Sequence, residues 1–218
     1  MSNVEVQAEK DQNVSFFQVV ESRRSVRKYD SSAVISDAEI KELLEVAVKA
    51  PSSSNMQPWR FLVVTDAELK AKLVPIAFNQ QQVAEASAIV IVLADLEMYK
   101  NAGAIYEAAA AAGYMTEEVK TTMIENSTKL YSTLPAERLK EIVVFDTGLV
   151  SMQLMLAARA KGYDTVPMGG YNRDGVKELF GLSDRYMPTL MLPIGKAAAP
   201  GHPTSRLSLD QVTFYNSL

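Results

Sequence analysis

Apolar positions recur along the chain in two regular patterns, separated by stretches that follow neither. Ile40, Leu43, Leu44, Ala47 and Val48 repeat at helical spacing behind Ser36 and Glu39, which stand three residues apart as a capping box does. A helix is therefore predicted over 37–50, stopped by Pro51. Phe16, Phe17, Val19 and Val20 give a shorter helix from about Val14, and the polar residues 1–13 before it read as a flexible lead-in. Asp66 caps a further helix carrying Leu69, Leu73 and Ile76. Three continuous apolar runs lie within 60–65, 88–94 and 189–194 and predict strands buried on both faces, with 88–94 the most central. From Pro135 to Gly162 apolar residues cover more than half of a long helix, so it should pack on more than one side and serve as spine and subunit interface. Gly162 stands where a left-handed cap belongs. A short strand from Thr165 runs into the Gly169–Gly170 turn, and a helix follows over 174–180. The stretch 97–133 has no single period and reads as helices with a mobile excursion, its tyrosines belonging to the core more readily than to a pocket wall. The tail from Ala197, extended over 212–215, must lean on something, and a partner subunit is the candidate. With neither repeat nor linker, 14–218 reads as one domain.

Composition narrows the chemistry. A chain of 218 residues buries a substantial core without staples, and 48% hydrophobic with 22% charged residues is an ordinary soluble balance. A net charge of -4 speaks against nucleic acid as the main partner, which demands a broad basic footprint. With no cysteine there is no thiolate nucleophile and no cysteine-ligated metal. His202 is the only histidine and sits between Gly201 and Pro203, a poor support for a general base. The N-terminus lacks the apolar core of a signal peptide, and no breaker-free apolar run reaches the ~18 residues of a membrane span. No membrane partner and a cytoplasmic location are expected.

Against that acidic background, Ser22 to Asp30 holds three arginines, Arg23, Arg24 and Arg27, within five residues. Arg23 and Arg27 share a face in a helix or a strand, whereas Ser25 joins them only if the segment is extended. Two guanidinium forks and a hydroxyl suit a phosphate; a solvated basic patch is the plain alternative. Pro51-Ser52-Ser53-Ser54-Asn55-Met56-Gln57-Pro58-Trp59 offers more hydrogen-bonding capacity than a connector needs, held between two prolines. Asn79 to Gln82 is an amide run, and paired glycines allow close approach or positive φ. Neither G-x-G-x-x-G nor a P-loop occurs, so any phosphate falls to side chains, with Arg206 a distant contributor.

Taken in order, the arginine stretch, the capped helix, the Pro51–Trp59 loop, Pro167-Met168-Gly169-Gly170 and Ser205-Arg206 resemble the FMN-dependent nitroreductase family from about Phe16 to Val212. The resemblance implies an α+β fold, a mostly antiparallel sheet surrounded by helices, in an interlocked homodimer whose C-terminal arms pack on the partner. It implies FMN as cofactor, NAD(P)H as donor and small acceptors such as nitroaromatics or quinones, turned over by a ping-pong mechanism. Arg23, Ser25 and Arg206 would hold the phosphate and ribityl chain, with Arg24 beside them. Arg27 and Asn79 would meet the pyrimidine edge, close to Gln82, where some relatives carry a basic residue. Pro51, Ser52, Ser53 and Asn55 would reach across from the other subunit, and the Gly169 N–H would point at flavin N5, flanked by Pro167 and Gly170. No protein acid, base or nucleophile is required, since the cofactor carries the chemistry. Thr204, where some relatives have lysine, puts more weight on the remaining cations. The alternatives are a flavin-binding protein without turnover, or a subclass acting in dehalogenation or flavin cleavage.

Overall fold

A computed structural model describes residues 14–217. The lead-in expected over 1–13 lies outside the described residues. In chain order the elements are α1 (Phe16–Ser22), α2 (Asp37–Ala47), β1 (Trp59–Val64), α3 (Ala67–Ile76), α4 (Gln82–Glu85) and β2 (Ala88–Asp95). They continue with α5 (Ala102–Ala111), α6 (Glu117–Thr133), α7 (Ala136–Ala160), β3 (Asp164–Thr165), α8 (Arg173–Phe180), β4 (Tyr186–Gly195) and α9 (Leu209–Val212).

The four strands form one antiparallel sheet in the order β1-β2-β4-β3. All eight residues of β2 are buried, which explains a continuous apolar run where a one-faced sheet would alternate. Ala88, Val90 and Val92 point to a core shared with α2 and α7, while Ile89, Ile91 and Leu93 meet α3, α4 and α8. A third cluster, with Met56, Met98, Tyr106, Tyr131 and Val143, closes the end of the sheet beneath the loop that precedes β1.

Local signals hold at the helix ends. Both capping-box bonds of α2 form between Ser36 and Glu39. At the end of α7, Gly162 has φ 74° and Tyr163 N–H donates to Ala158 O at 2.9 Å, a Schellman closure. Several details differ from the sequence reading. Helix α2 ends at Ala47, and the chain turns through 48–50 before Pro51. The strand at Thr165 is two residues long, with a separate bridge at Met168. Strand β4 begins at Tyr186, and the register slips between Val92 and Leu93, where the partner strand carries Pro188 and Thr189. The stretch 97–133 is a 3₁₀ turn plus two helices packed on each other, and 209–212 is a helical turn. Among the described helices α7 alone is long and apolar enough to cross a bilayer, yet it carries the buried Asp146 and packs on the sheet.

Candidate functional site

The arginine stretch is extended. Helix α1 stops at Ser22, Arg23 takes φ -60° and ψ 125°, and the Arg24 guanidinium folds back onto the carbonyls of Glu21 (2.5 Å) and Arg23 (2.9 Å). Ser25 then bridges Thr165 in parallel, with Val26 N–H donating to Thr165 O at 3.1 Å. Further along, Asp30 N–H donates to Lys196 O and Ala198 N–H to Lys28 O, so the segment lies between β3 and the chain leaving β4. Arg23 and Ser25 are half-buried, Arg24 is exposed and Val26 is buried, which meets the condition for Ser25 to share a side with Arg23. Val26 and Tyr29 are both buried three residues apart, so strict alternation ends there, and Arg27 is exposed. Arg24 and Val26 instead line a separate cavity of about 340 Å³ with Arg159, Asp164 and the Ala197–Gly201 segment. The Tyr29 hydroxyl donates to Pro193 O, and burial, aided by the Asp164 charge, pushes its pKa far up.

The glycine pair and the amide run meet at the same edge. Pro167, Gly169 and Gly170 are exposed while Val166 and Met168 are buried, so the backbone here presents one open side. Gln80 Nε2 donates to Gly170 O at 2.9 Å. Buried Gln82 donates to Gln80 Oε1 at 2.9 Å and lies 3.7 Å from Met168 Sδ, so its amide braces Gln80 from within. Asn79 is exposed and left-handed at φ 59°, following Phe78 at φ 55°. Gly169 and Gly170 do not take positive φ, and a Cβ on either would meet no atom within 4 Å. Their contribution is uncovered backbone rather than unusual torsion.

The serine loop is built differently and faces other elements. Ser54, Asn55 and Gln57 all take left-handed φ (47°, 56° and 48°), although none is glycine and Gln57 precedes a proline. Side chains from three helices hold this backbone. Ser53 N–H and Oγ–H donate to the Asp146 carboxylate at 3.1 Å, Tyr131 OH bonds Ser54 Oγ at 2.8 Å, and Tyr106 OH donates to Ser54 O at 2.8 Å. Asn101 Nδ2 donates to Met56 O at 2.8 Å, and Arg60 Nη1 to Gln57 O at 3.1 Å. Burial pushes the Asp146 pKa up, and the two Ser53 donors pull against it without cancelling it. Asp95, fully buried, anchors the far end of the loop through Arg60 and accepts two bonds from Arg185, each at 2.7 Å. Burial alone would raise its pKa, but Arg185, the Glu97 N–H and Arg60 hold it below the usual range.

Within one chain, then, Ser25, next but one to Arg23, is bridged to Thr165, the chain runs on from there to Pro167, Gly169 and Gly170, and the amide run that begins at Asn79 bonds to that stretch through Gln80 and Gln82. The loop residues Pro51, Ser52, Ser53 and Asn55 belong to a second assembly, whose side-chain bonds run to α5, α6, α7 and its own members. Arg206 stands on the exposed arm and bonds only Thr204 Oγ1 and Ser205 O among the described residues. Sequence reasoning missed Asp146, Tyr106 and Asn101 as supports of the loop. The signal for Asp146 was present, a lone carboxylate inside the apolar run of α7; the other two carried none.

Comparison with known proteins identifies the family. A sequence profile described as the Nitroreductase family matches residues 20–196. YdgI of Bacillus subtilis (strain 168), provisionally named an NAD(P)H nitroreductase, is 48% identical over 199 residues, 90% of this chain and 95% of YdgI. The crystal structure of a provisionally named nitroreductase in complex with FMN from Exiguobacterium sibiricum superposes with a TM-score of 0.89 at 45% identity, over 93% of this chain and 97% of the other. A provisionally named NAD(P)H:FMN oxidoreductase from Staphylococcus epidermidis gives 0.90 at 40% identity, over 92% and 95%.

Proposed function

The chain belongs to the nitroreductase family, and from that premise we propose that its arginine edge and serine loop are the two halves of an FMN site. The protein is an FMN-dependent NAD(P)H oxidoreductase. One observation carries the assignment of the site: Ser25 is bridged to Thr165, at the head of the same short stretch that leads to the open backbone of Gly169–Gly170, where Gln80 donates to Gly170 O.

That donor set fits the cofactor. A guanidinium and a hydroxyl on one side of an extended strand suit a phosphate monoester, and amide groups suit the donors and acceptors of a pyrimidine edge. Backbone that a side chain would otherwise cover suits close approach of a planar ring. When bound, FMN supplies two-electron chemistry between NAD(P)H and a small acceptor. The chain's residues bind and orient: Arg23, Ser25 and the arm's Arg206 hold the phosphate, and exposed Arg27 sets a fixed positive charge near the pyrimidine edge. The backbone at Gly169 offers its N–H to the ring. Such a cation favours an electron-rich ring and raises its potential.

The second half of the site comes from a second copy of the chain. Phe16 (66%) and Phe17 (73%) of α1, Phe145 (64%) of α7 and Phe214 (59%) of the tail are exposed, more large apolar surface than an isolated domain leaves to water. A homodimer with exchanged arms covers these residues and brings Ser52 and Asn55 to the partner's arginine edge. Acceptors are small planar molecules, nitroaromatics and quinones. The test is FMN titration of the apoprotein followed by steady-state turnover of menadione with NADH and with NADPH. Micromolar or tighter binding with turnover is expected. Absence of binding overturns the reading, and binding without turnover makes the protein a flavin carrier.

A further inference from the structure

Among the described residues two carboxylates are buried, Asp95 and Asp146, and only Asp95 meets a cation. Asp146 is fully buried, no salt bridge reaches it among the described residues, and its hydrogen bonds all come from Ser53. A buried carboxylate with no cation is expensive, and an apolar residue would sit more cheaply in α7. What it does is specific. Both of its oxygens receive the Ser53 N–H at 3.1 Å, and one also receives the Ser53 hydroxyl.

Ser53 begins the turn in which Ser54, Asn55 and Gln57 adopt left-handed φ, a shape that residues with a Cβ keep only when their surroundings enforce it. Tyr131 and Tyr106 grip Ser54 from α6 and α5, and Ser52 Oγ accepts the Gln57 N–H at 3.0 Å. Asp146 differs from these in its location. Its helix neighbours Val144 and Phe145 are exposed, so one turn of α7 offers apolar surface outward and a carboxylate inward to the loop.

We propose that Asp146 is a positioning residue that presents the Ser52–Asn55 loop to the cofactor bound at the partner's arginine edge. The proposal rests on the reading of that loop as cofactor-facing. Asp146 touches neither cofactor nor substrate; it acts through Ser53, by fixing where Ser52 and Asn55 stand. Burial raises its pKa and the two Ser53 donors oppose that rise, so the only groups that stabilise the buried carboxylate among the described residues are those of Ser53.

The test compares D146L, D146N and N55G in the full-length chain, reading FMN affinity by fluorescence quenching, the midpoint potential of bound FMN, and urea unfolding of the apoprotein. D146L removes the acceptors and should weaken FMN binding tenfold or more and shift the potential. D146N keeps an acceptor for the Ser53 N–H and should stay within about threefold of the parent. N55G removes one contact side chain at a position whose φ of 56° glycine tolerates, and should weaken binding without unfolding the protein. If N55G weakens binding while D146L leaves affinity and potential unchanged, Asp146 is structural and the proposal fails alone. If N55G changes neither affinity nor potential, the loop is not cofactor-facing and both readings fall. Should D146L not fold, D146S, whose hydroxyl is too short to reach Ser53, is read in the same way.

Discussion

Arg23 and Arg24 are adjacent in sequence and carry the same charge, yet they occupy different surroundings, so their replacement by alanine separates recognition from structure. Arg23 is half-buried, and its guanidinium makes no hydrogen bond to the protein among the described residues. R23A should therefore remove no internal bond and leave apoprotein stability within ~0.5 kcal/mol. Against a phosphate the same guanidinium supplies charge-assisted hydrogen bonds worth about 1.5–3 kcal/mol, so the Kd for FMN should rise roughly 10- to 150-fold. Arg24 shows the reverse pattern. Its guanidinium closes the end of α1 on the carbonyls of Glu21 and Arg23 and lines the cavity behind the strand. R24A should cost about 0.5–1 kcal/mol of stability while FMN affinity changes by less than about threefold, the remainder of the general charge effect. The assay is quenching of FMN fluorescence at fixed ionic strength, paired with urea unfolding of each apoprotein at one concentration. Equal losses of affinity in the two variants would refute the face assignment.

Three further outcomes follow from the geometry. D95A leaves Arg60 and Arg185, each about a third exposed, without their shared carboxylate, and should lower stability by about 2–3 kcal/mol in urea unfolding, with D95N intermediate. G201A places a Cβ 2.7 Å from Arg24 Cβ and 2.9 Å from Ser25 O, so the segment after β4 must move; a loss of about 1–3 kcal/mol and weaker FMN binding are expected from the same titrations. The Ser36 hydroxyl and Tyr163 OH hold Glu39 down to about 2, below its ordinary 4.5. Its contribution is thus present above pH 4.5 and lost as pH falls toward 2, so the stability difference between the parent and E39Q should shrink over that window in acid titrations of the urea midpoint.

What could be read from the chain was local. The Ser36–Glu39 capping box, the cap at Gly162 and the run 88–94 each place their signal within a few residues, and each forms as expected. The site was legible where it depended on strand geometry: an extended backbone was the stated condition for Ser25 to join Arg23, and the bridge to Thr165 supplies it. The serine loop was legible as a polar loop but not in shape. Three left-handed residues without glycine are imposed by Asp146, Tyr106 and Tyr131, all distant in sequence, and no propensity of Ser54 or Gln57 announces them. The glycine pair was legible only as a choice. Its sequence allowed either close approach or positive φ, and the structure keeps only the first open: neither φ is positive, and the missing side chains leave the backbone uncovered.

The function turns on FMN binding by this chain and on the passage of reducing equivalents from a nicotinamide nucleotide to a small acceptor. The most direct measurement is an anaerobic titration of the FMN-loaded protein with NADH and then NADPH, following the flavin's visible absorbance. Bleaching by about one equivalent of at least one nucleotide per flavin is expected, as a two-electron exchange requires, with recovery of the colour when a quinone or nitroaromatic is added. An absorbance unchanged by either nucleotide would contradict this function.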